Sequence, residues 1–239
     1  MNVDTDILLL AVVVMAIAAT VQASVGFGAN LLAAPTFAIL DPDLVPGPIF
    51  VATGVLTLAT ALRERDDVDR TVVGWATAGR IPGSILGAIV LAAATDRSIQ
   101  LTVGIAILIA VLLSSGVLRV PERRGTYFGA GVVSGFGATT AAIGGPPVAL
   151  TLQHRSGPAL RATMGAFFAI GTVITIPAIA AAGRLGGDEL LVGAALVPGA
   201  LVGFAASGPL RPRVDAGRVR PLVLGLAAVA AVVLIVRTL

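Results

Sequence analysis

Gly26-Phe27-Gly28-Ala29 and Gly135-Phe136-Gly137-Ala138 are one glycine-rich tetrapeptide used twice, at an offset of 109 (135 against 26). Each copy interrupts an apolar stretch that otherwise reads as one long membrane helix. Glycine is the residue that most readily leaves the helical conformation, and a backbone opened inside a bilayer must find partners for its N–H and C=O groups. How these two interruptions are read decides the fold.

Composition establishes the bilayer. Of 239 residues, 56% are hydrophobic and 12% charged, and the mean hydropathy is +0.99. A soluble domain carries roughly a quarter of its residues charged. This chain has too little charge to cover a water-facing surface, so it reads as a single integral membrane domain over residues 1–239. It has no cysteine, which excludes disulfides and thiolate metal sites, and one histidine, His154, which excludes a multi-histidine metal centre. No cofactor or metal is expected. The pI near 10.9 comes from arginines scattered among short loops, a topology signal rather than a nucleic-acid patch. The acidic start, Met1 to Asp6, lacks the positive n-region of a signal peptide, which predicts a retained first helix.

Apolar runs fall at 7–22, 25–40, 45–62, 72–94 and 98–118, then at 126–138, 140–153, 160–182, 188–208 and 218–238. The halves look related. Phe50-x-Ala52-x-Gly54 returns as Phe167-x-Ala169-x-Gly171, and Pro82-Gly83 with Gly87 returns as Pro198-Gly199 with Gly203. These offsets are 117 (167 against 50) and 116 (198 against 82), so the smaller offset of the tetrapeptide implies an insertion around Gly144–Arg161. Matches in one order at a nearly constant offset indicate an internal repeat, with residues 1–118 as repeat 1 and 119–239 as repeat 2.

Arginine placement selects the topology. If 7–40 and 126–153 each cross once, the arginines divide almost evenly between the two sides. If each is a hairpin returning to its own side, one side collects Arg63, Arg65, Arg70, Arg119, Arg123, Arg124, Arg155, Arg161, Arg211, Arg213, Arg218 and Arg220. The other keeps Arg97, Arg184 and Arg237, and Arg80 stays inside a helix. That asymmetry is what the positive-inside rule requires. Each half then has five segments, an odd number, so the second half is inverted and both termini lie outside. The expected fold class is an all-α polytopic membrane protein of two inverted repeats, each a glycine-broken hairpin plus three transmembrane helices, with 8–10 membrane segments. The hairpin limbs, at about 12–16 residues, reach roughly 18–24 Å. Re-entrant or barely spanning hairpins with tips near the middle are therefore expected.

Both tips combine glycines with small polar side chains. The first offers Gln22, Ser24, Gly26, Phe27, Gly28 and Asn30. The second offers Ser134, Gly135, Phe136, Gly137, Thr139, Thr140, Gly144 and Gly145. A helix starting after such a break presents free N–H groups and a positive dipole end, so two facing tips form a cradle for an anion. The competing reading is close helix packing by small residues. Occurrence at corresponding positions of both halves favours a substrate site.

Arg80 is the one charge well inside an apolar run. Such a charge is costly and points to function, here a pairing with an anionic substrate; the alternative is snorkelling to the interface. Its repeat mate is Leu196, so the fold does not require a charge there. All 13 acidic residues fall in termini or loops, which argues against coupling through a buried carboxylate. Thr53, Thr57, Thr60, Thr151, Gln153, Thr163, Thr172 and Thr175 are candidates for a polar path, although membrane hydroxyls commonly bond to their own helix.

At these motifs the chain resembles the TauE/SafE sulfite-exporter-like permeases, the TSUP family. The resemblance rests on GFGANLLAAPTFAILDP (26–42), RERDDVD (63–69), GRIPGSILGA (79–88), SGFG…IGGPPVAL (134–150) and RATMGAFF (161–168). It implies a bacterial or archaeal inner-membrane carrier of sulfite, organosulfonates or related sulfur-containing anions, and not an enzyme. The expected partners are a small anionic substrate and the lipid bilayer, with no nucleic acid; a homodimer is compatible with the sequence. Two other classes compete. One is a non-transporting membrane partner or assembly factor. The other is an intramembrane hydrolase using Ser134, for which a histidine within hydrogen-bond reach is required.

Overall fold

The computed structural model describes residues 3–115, 119–210 and 219–239. Arg211, Arg213 and Arg218 of the arginine count lie outside them, as does the side chain of Arg220. The described residues are helical, with no strand. The helices are α1 (Thr5–Val25), α2 (Ala29–Leu40), α3 (Gly47–Arg63), α4 (Arg70–Ala92) and α5 (Asp96–Ser114) in the first half. The second half has α6 (Arg124–Ala141), α7 (Gly145–Thr151), α8 (Gly157–Ala181), α9 (Gly187–Ala206) and α10 (Val219–Thr238). A 3₁₀ turn at Pro42–Leu44 leads into α3.

Among the described residues, six helices are long and apolar enough to cross a membrane. Their outward faces agree with that: Leu9 and Ile17 of α1, Ile89 of α4, Val173 of α8 and Val202 of α9 are all exposed. In water a belt of this size is an aggregation liability, whereas in hydrocarbon it is the correct surface. The interior is built from small residues instead. A Cβ on Gly79 would lie 2.0 Å from the Phe128 carbonyl oxygen, one on Gly83 2.1 Å from that of Val132, and one on Gly131 2.0 Å from that of Ala76. These glycines let α4 and α6 touch backbone to backbone, the contact that membrane helices use where no hydrophobic drive between them exists. Gly199 and Gly203 seat α9 on the carbonyls of Val12 and Ala16 of α1 in the same way.

The packing crosses between halves. Along α4 and α6 the touching residues rise together in number, so the two run parallel, and so do α1 and α9, which meet again where Ser24 Oγ lies 3.4 Å from the Ser207 carbonyl oxygen. Polar contacts assign the ends. At one end the Gly47 backbone packs on the Arg184 carbonyl, Arg184 pairs with Asp96 at 3.6 Å, and Arg97 donates to the Leu239 carbonyl at 3.1 Å. At the other end Arg155 joins Asp69 at 3.1 Å to Glu122 at 3.0 Å, tying the starts of α4 and α6 to the loop after α7. The α1–α2 pair therefore begins and ends at the Arg184 end, and the α6–α7 pair at the Arg155 end.

Two expectations need correction. The second tetrapeptide does not break its helix: Gly135 to Ala138 lie within α6, and the break falls at Ala142–Gly144. Ala142 takes the left-handed conformation (φ 59°), as Gly26 does (φ 104°), and the two stand 116 apart (142 against 26). That equals the spacing of the Pro-Gly pairs, so no insertion is required. In its place in α6, Gly135 makes the helix contact, with the Arg80 carbonyl oxygen 2.3 Å from a Cβ placed there. The limbs also differ from the equal short pair expected. With 21 residues, α1 reaches about 31 Å and, with 18, α6 reaches about 27 Å, whereas α2 and α7, with 12 and 7, reach about 18 and 10 Å. Each hairpin has one near-spanning limb and one short one.

Candidate functional site

The two breaks face each other across a cavity of about 40 Å³, roughly three times what one water needs. The first break and its flanks supply Gln22, Gly28 and Asn30; the second supplies Ala142, Ile143, Gly144 and Gly145. Phe50, Thr53 and Thr57 of α3 and Phe168 and Thr172 of α8 close the sides, and Arg80 reaches in from α4. A direct bond joins the two breaks, from the Asn30 amide nitrogen to the Ala142 carbonyl oxygen at 2.8 Å.

Arg80 is 1% exposed. Its Nε and Nη2 donate to Thr175 Oγ1 at 3.2 and 3.0 Å, its Nη1 to Ser134 Oγ at 3.3 Å, and its guanidinium lies 5.1 Å from the Phe167 ring centre. A guanidinium carries five N–H groups, so two remain free of protein acceptors. Among the described residues no carboxylate pairs with it. Snorkelling is excluded by this burial. A buried cation without a counter-charge is strongly unfavourable in itself, and an anion in the cavity removes that cost.

The sequence provides for this position in two ways. Gly171 leaves room for the guanidinium, since a Cβ there would lie 2.6 Å from Cζ of Arg80. Ser134 donates to the Gly144 carbonyl at 2.5 Å while accepting from Arg80, so it links the cation to the second break. The Thr175 hydroxyl meets Arg80 instead of a carbonyl of its own helix. Thr53, Thr60, Thr139, Thr140 and Thr172 all donate to carbonyls of their own helices.

Of the expected site residues, Gln22, Gly28, Asn30, Arg80, Gly144 and Gly145 line the cavity. Ser134 stands behind it, on Arg80. The others have different places. Ser24 donates to its own helix, and its carbonyl takes a bond from Arg161; Gly26 packs on Arg161, and Phe27 lies against Gly145. Gly135 and Thr139 are α4–α6 contacts, and Gly137 accepts from the Ile143 amide. Phe136 and Thr140 face a separate apolar groove between α5 and α6. Phe50, Phe168 and Ile143 escaped the sequence reading because nothing separates a cavity-lining apolar residue from a core one in a chain this hydrophobic.

The cradle of helix N-termini is thinner than expected. Gln22 Oε1 accepts the Ala29 N–H at 3.3 Å, the Gly28 carbonyl accepts the Leu31 N–H at 3.1 Å, and the first turn of α7 contains Pro146 and Pro147, which have no N–H. The positive potential of the site is therefore that of Arg80. Ser134 has no histidine among its partners, and His154 is exposed in the loop after α7.

Neither the curated proteins nor the solved structures searched gave a match. The family profile described as Sulfite exporter TauE/SafE matches residues 10–234, a span that holds both breaks, Arg80 and all the cavity-lining residues. The chain is a multi-pass membrane protein of the TauE/SafE sulfite exporter family.

Proposed function

We propose that the protein is a secondary transporter that carries a small anion, a sulfur oxyanion or organosulfonate, through the cavity at Arg80. The observation that carries this reading is a buried guanidinium with free N–H groups and no counter-charge, set where two helix breaks meet. The cavity chemistry supports a small anion, and family membership supports sulfur.

The cross-half packing supports an inverted repeat of residues 1–118 and 119–239, an architecture suited to alternating access around a fixed site. With the arginine-rich end in the cytoplasm, both termini lie outside the inner membrane of a bacterium or archaeon. A non-transporting role leaves the buried Arg80 without a reason. The test is uptake by proteoliposomes offered sulfite, sulfoacetate, taurine and simple carboxylates. Saturable uptake of at least one sulfur anion is expected; the absence of any anion-dependent signal would end the proposal.

A further inference from the structure

Asn30, one of the cavity-lining residues, carries a hydrogen-bond acceptor with nothing to accept. The Asn30 carboxamide is oriented by its neighbour: the Ala142 carbonyl can only accept, so the nitrogen must face it, as the 2.8 Å contact shows. The other arm of the amide, Oδ1, is then fixed on the remaining side. It is shielded from solvent and takes no hydrogen bond. A buried carbonyl oxygen left without a donor is unfavourable, and sites built to hydrogen-bond a ligand hydroxyl or amine discriminate strongly against analogues that lack it.

The donors are complementary. Arg80 has two N–H groups without protein acceptors, and Gln22, whose Oε1 is taken by the Ala29 amide, has its NH2 left on the same wall. One cation and no carboxylate match one negative charge.

Resting on the anion-site reading above, we infer that the preferred ligand is a monoanion that also carries a hydrogen-bond donor, its anionic oxygens on Arg80 and Gln22 and its O–H or N–H on Asn30 Oδ1. Hydrogensulfite and hydroxy-substituted sulfonates belong to this class. The sulfite dianion and plain alkanesulfonates do not.

Hydroxymethanesulfonate and ethanesulfonate test this at constant charge and nearly constant size, since a hydroxyl replaces a methyl. The purified full-length protein in detergent or liposomes should bind the hydroxylated anion about tenfold more tightly or better. In Asn30→Leu the ratio of the two affinities should fall below about twofold, whatever the change in absolute affinity. Sulfite gives an independent readout in the unmodified protein. Its affinity should fall as pH rises through its second ionisation, while that of ethanesulfonate stays level. Equal binding of the two sulfonates, or sulfite affinity that rises with pH, overturns the donor requirement and leaves the anion site standing. If none of the three anions binds, the anion site itself is wrong. The wild-type comparisons decide the matter even if Asn30→Leu does not fold.

Discussion

At the scale of single residues, Arg80 separates binding from folding. Its charge is buried beside hydroxyls and an aromatic ring, without a carboxylate. Replacing even a buried ion pair by apolar side chains of similar volume is often neutral or stabilising by about 1–4 kcal/mol, and a lone buried charge has less attraction to lose. Arg80→Leu should therefore leave the thermal midpoint unchanged or raised, while anion affinity drops about 100-fold or more. Thermal unfolding and ligand binding measured on the same sample check both halves of this statement. Gly171→Ala probes the same charge without removing it. Its Cβ would fall 2.6 Å from the guanidinium carbon, the end of a flexible side chain rather than backbone. The guanidinium must shift off Thr175, so binding should weaken about tenfold with little change in midpoint. An unchanged affinity would mean that the position of the guanidinium is not what the ligand reads.

At the scale of elements, glycines divide into those that let helices touch and those that do not. Gly83→Ala would set a Cβ 2.1 Å from the backbone oxygen of Val132, and backbone cannot swing aside. The helices must separate, and a loss of about 3 kcal/mol or more is expected from overpacking of this kind. Gly74 is in the same helix with nothing within 4 Å of its would-be Cβ, so Gly74→Ala should be neutral or stabilise by about 0.5–1 kcal/mol. Comparing the two variants in a thermal or denaturant series tests whether α4–α6 contact, rather than helix propensity, governs. The breaks obey a different rule. The turn after α1 relies on Gly26 and Gly28 at φ 104° and 110°, yet the second break has a non-glycine, Ala142, at φ 59°. Glycine content therefore marked the first break and misplaced the second.

At the scale of the whole molecule, the two hairpins open to opposite ends of the bundle, which makes the topology testable with a chain that has no native cysteine. Arg97→Cys and Ser156→Cys stand on exposed positions at opposite ends and should react with an impermeant thiol reagent from opposite sides of a sealed vesicle. Ser24→Cys, at a position 1% exposed, should react slowly from either side. Reaction of positions 97 and 156 from one side would require a different arrangement of the hairpins. The distribution of arginine that predicts this is also visible in contacts. Arg97 and Arg184 hold one end, and Arg63, Arg155 and Arg161 hold the other, where Arg63 caps the α1 carbonyl of Ala23 at 2.8 Å and Arg161 that of Ser24 at 3.4 Å.

What the sequence determined by itself rests on solvent partition. Apolar composition dictated a bilayer, the uneven arginines dictated hairpins over single crossings, and one arginine in an apolar run marked the candidate site, because each charge has a definite cost in hydrocarbon wherever the chain folds. What tertiary structure decided rests on contact. Whether a glycine opens a helix or seats a neighbour depends on what stands opposite, so Gly135 packs under Arg80 and Ala142 turns the chain. Which hydroxyl serves the cation is likewise decided by contact: Thr175 and Ser134 hold Arg80, whereas Thr53, Thr60, Thr139, Thr140 and Thr172 bond to their own helices. Close packing is a property of pairs, and for Arg80, Gly83 and Gly131 the partner lies in the other half of the chain.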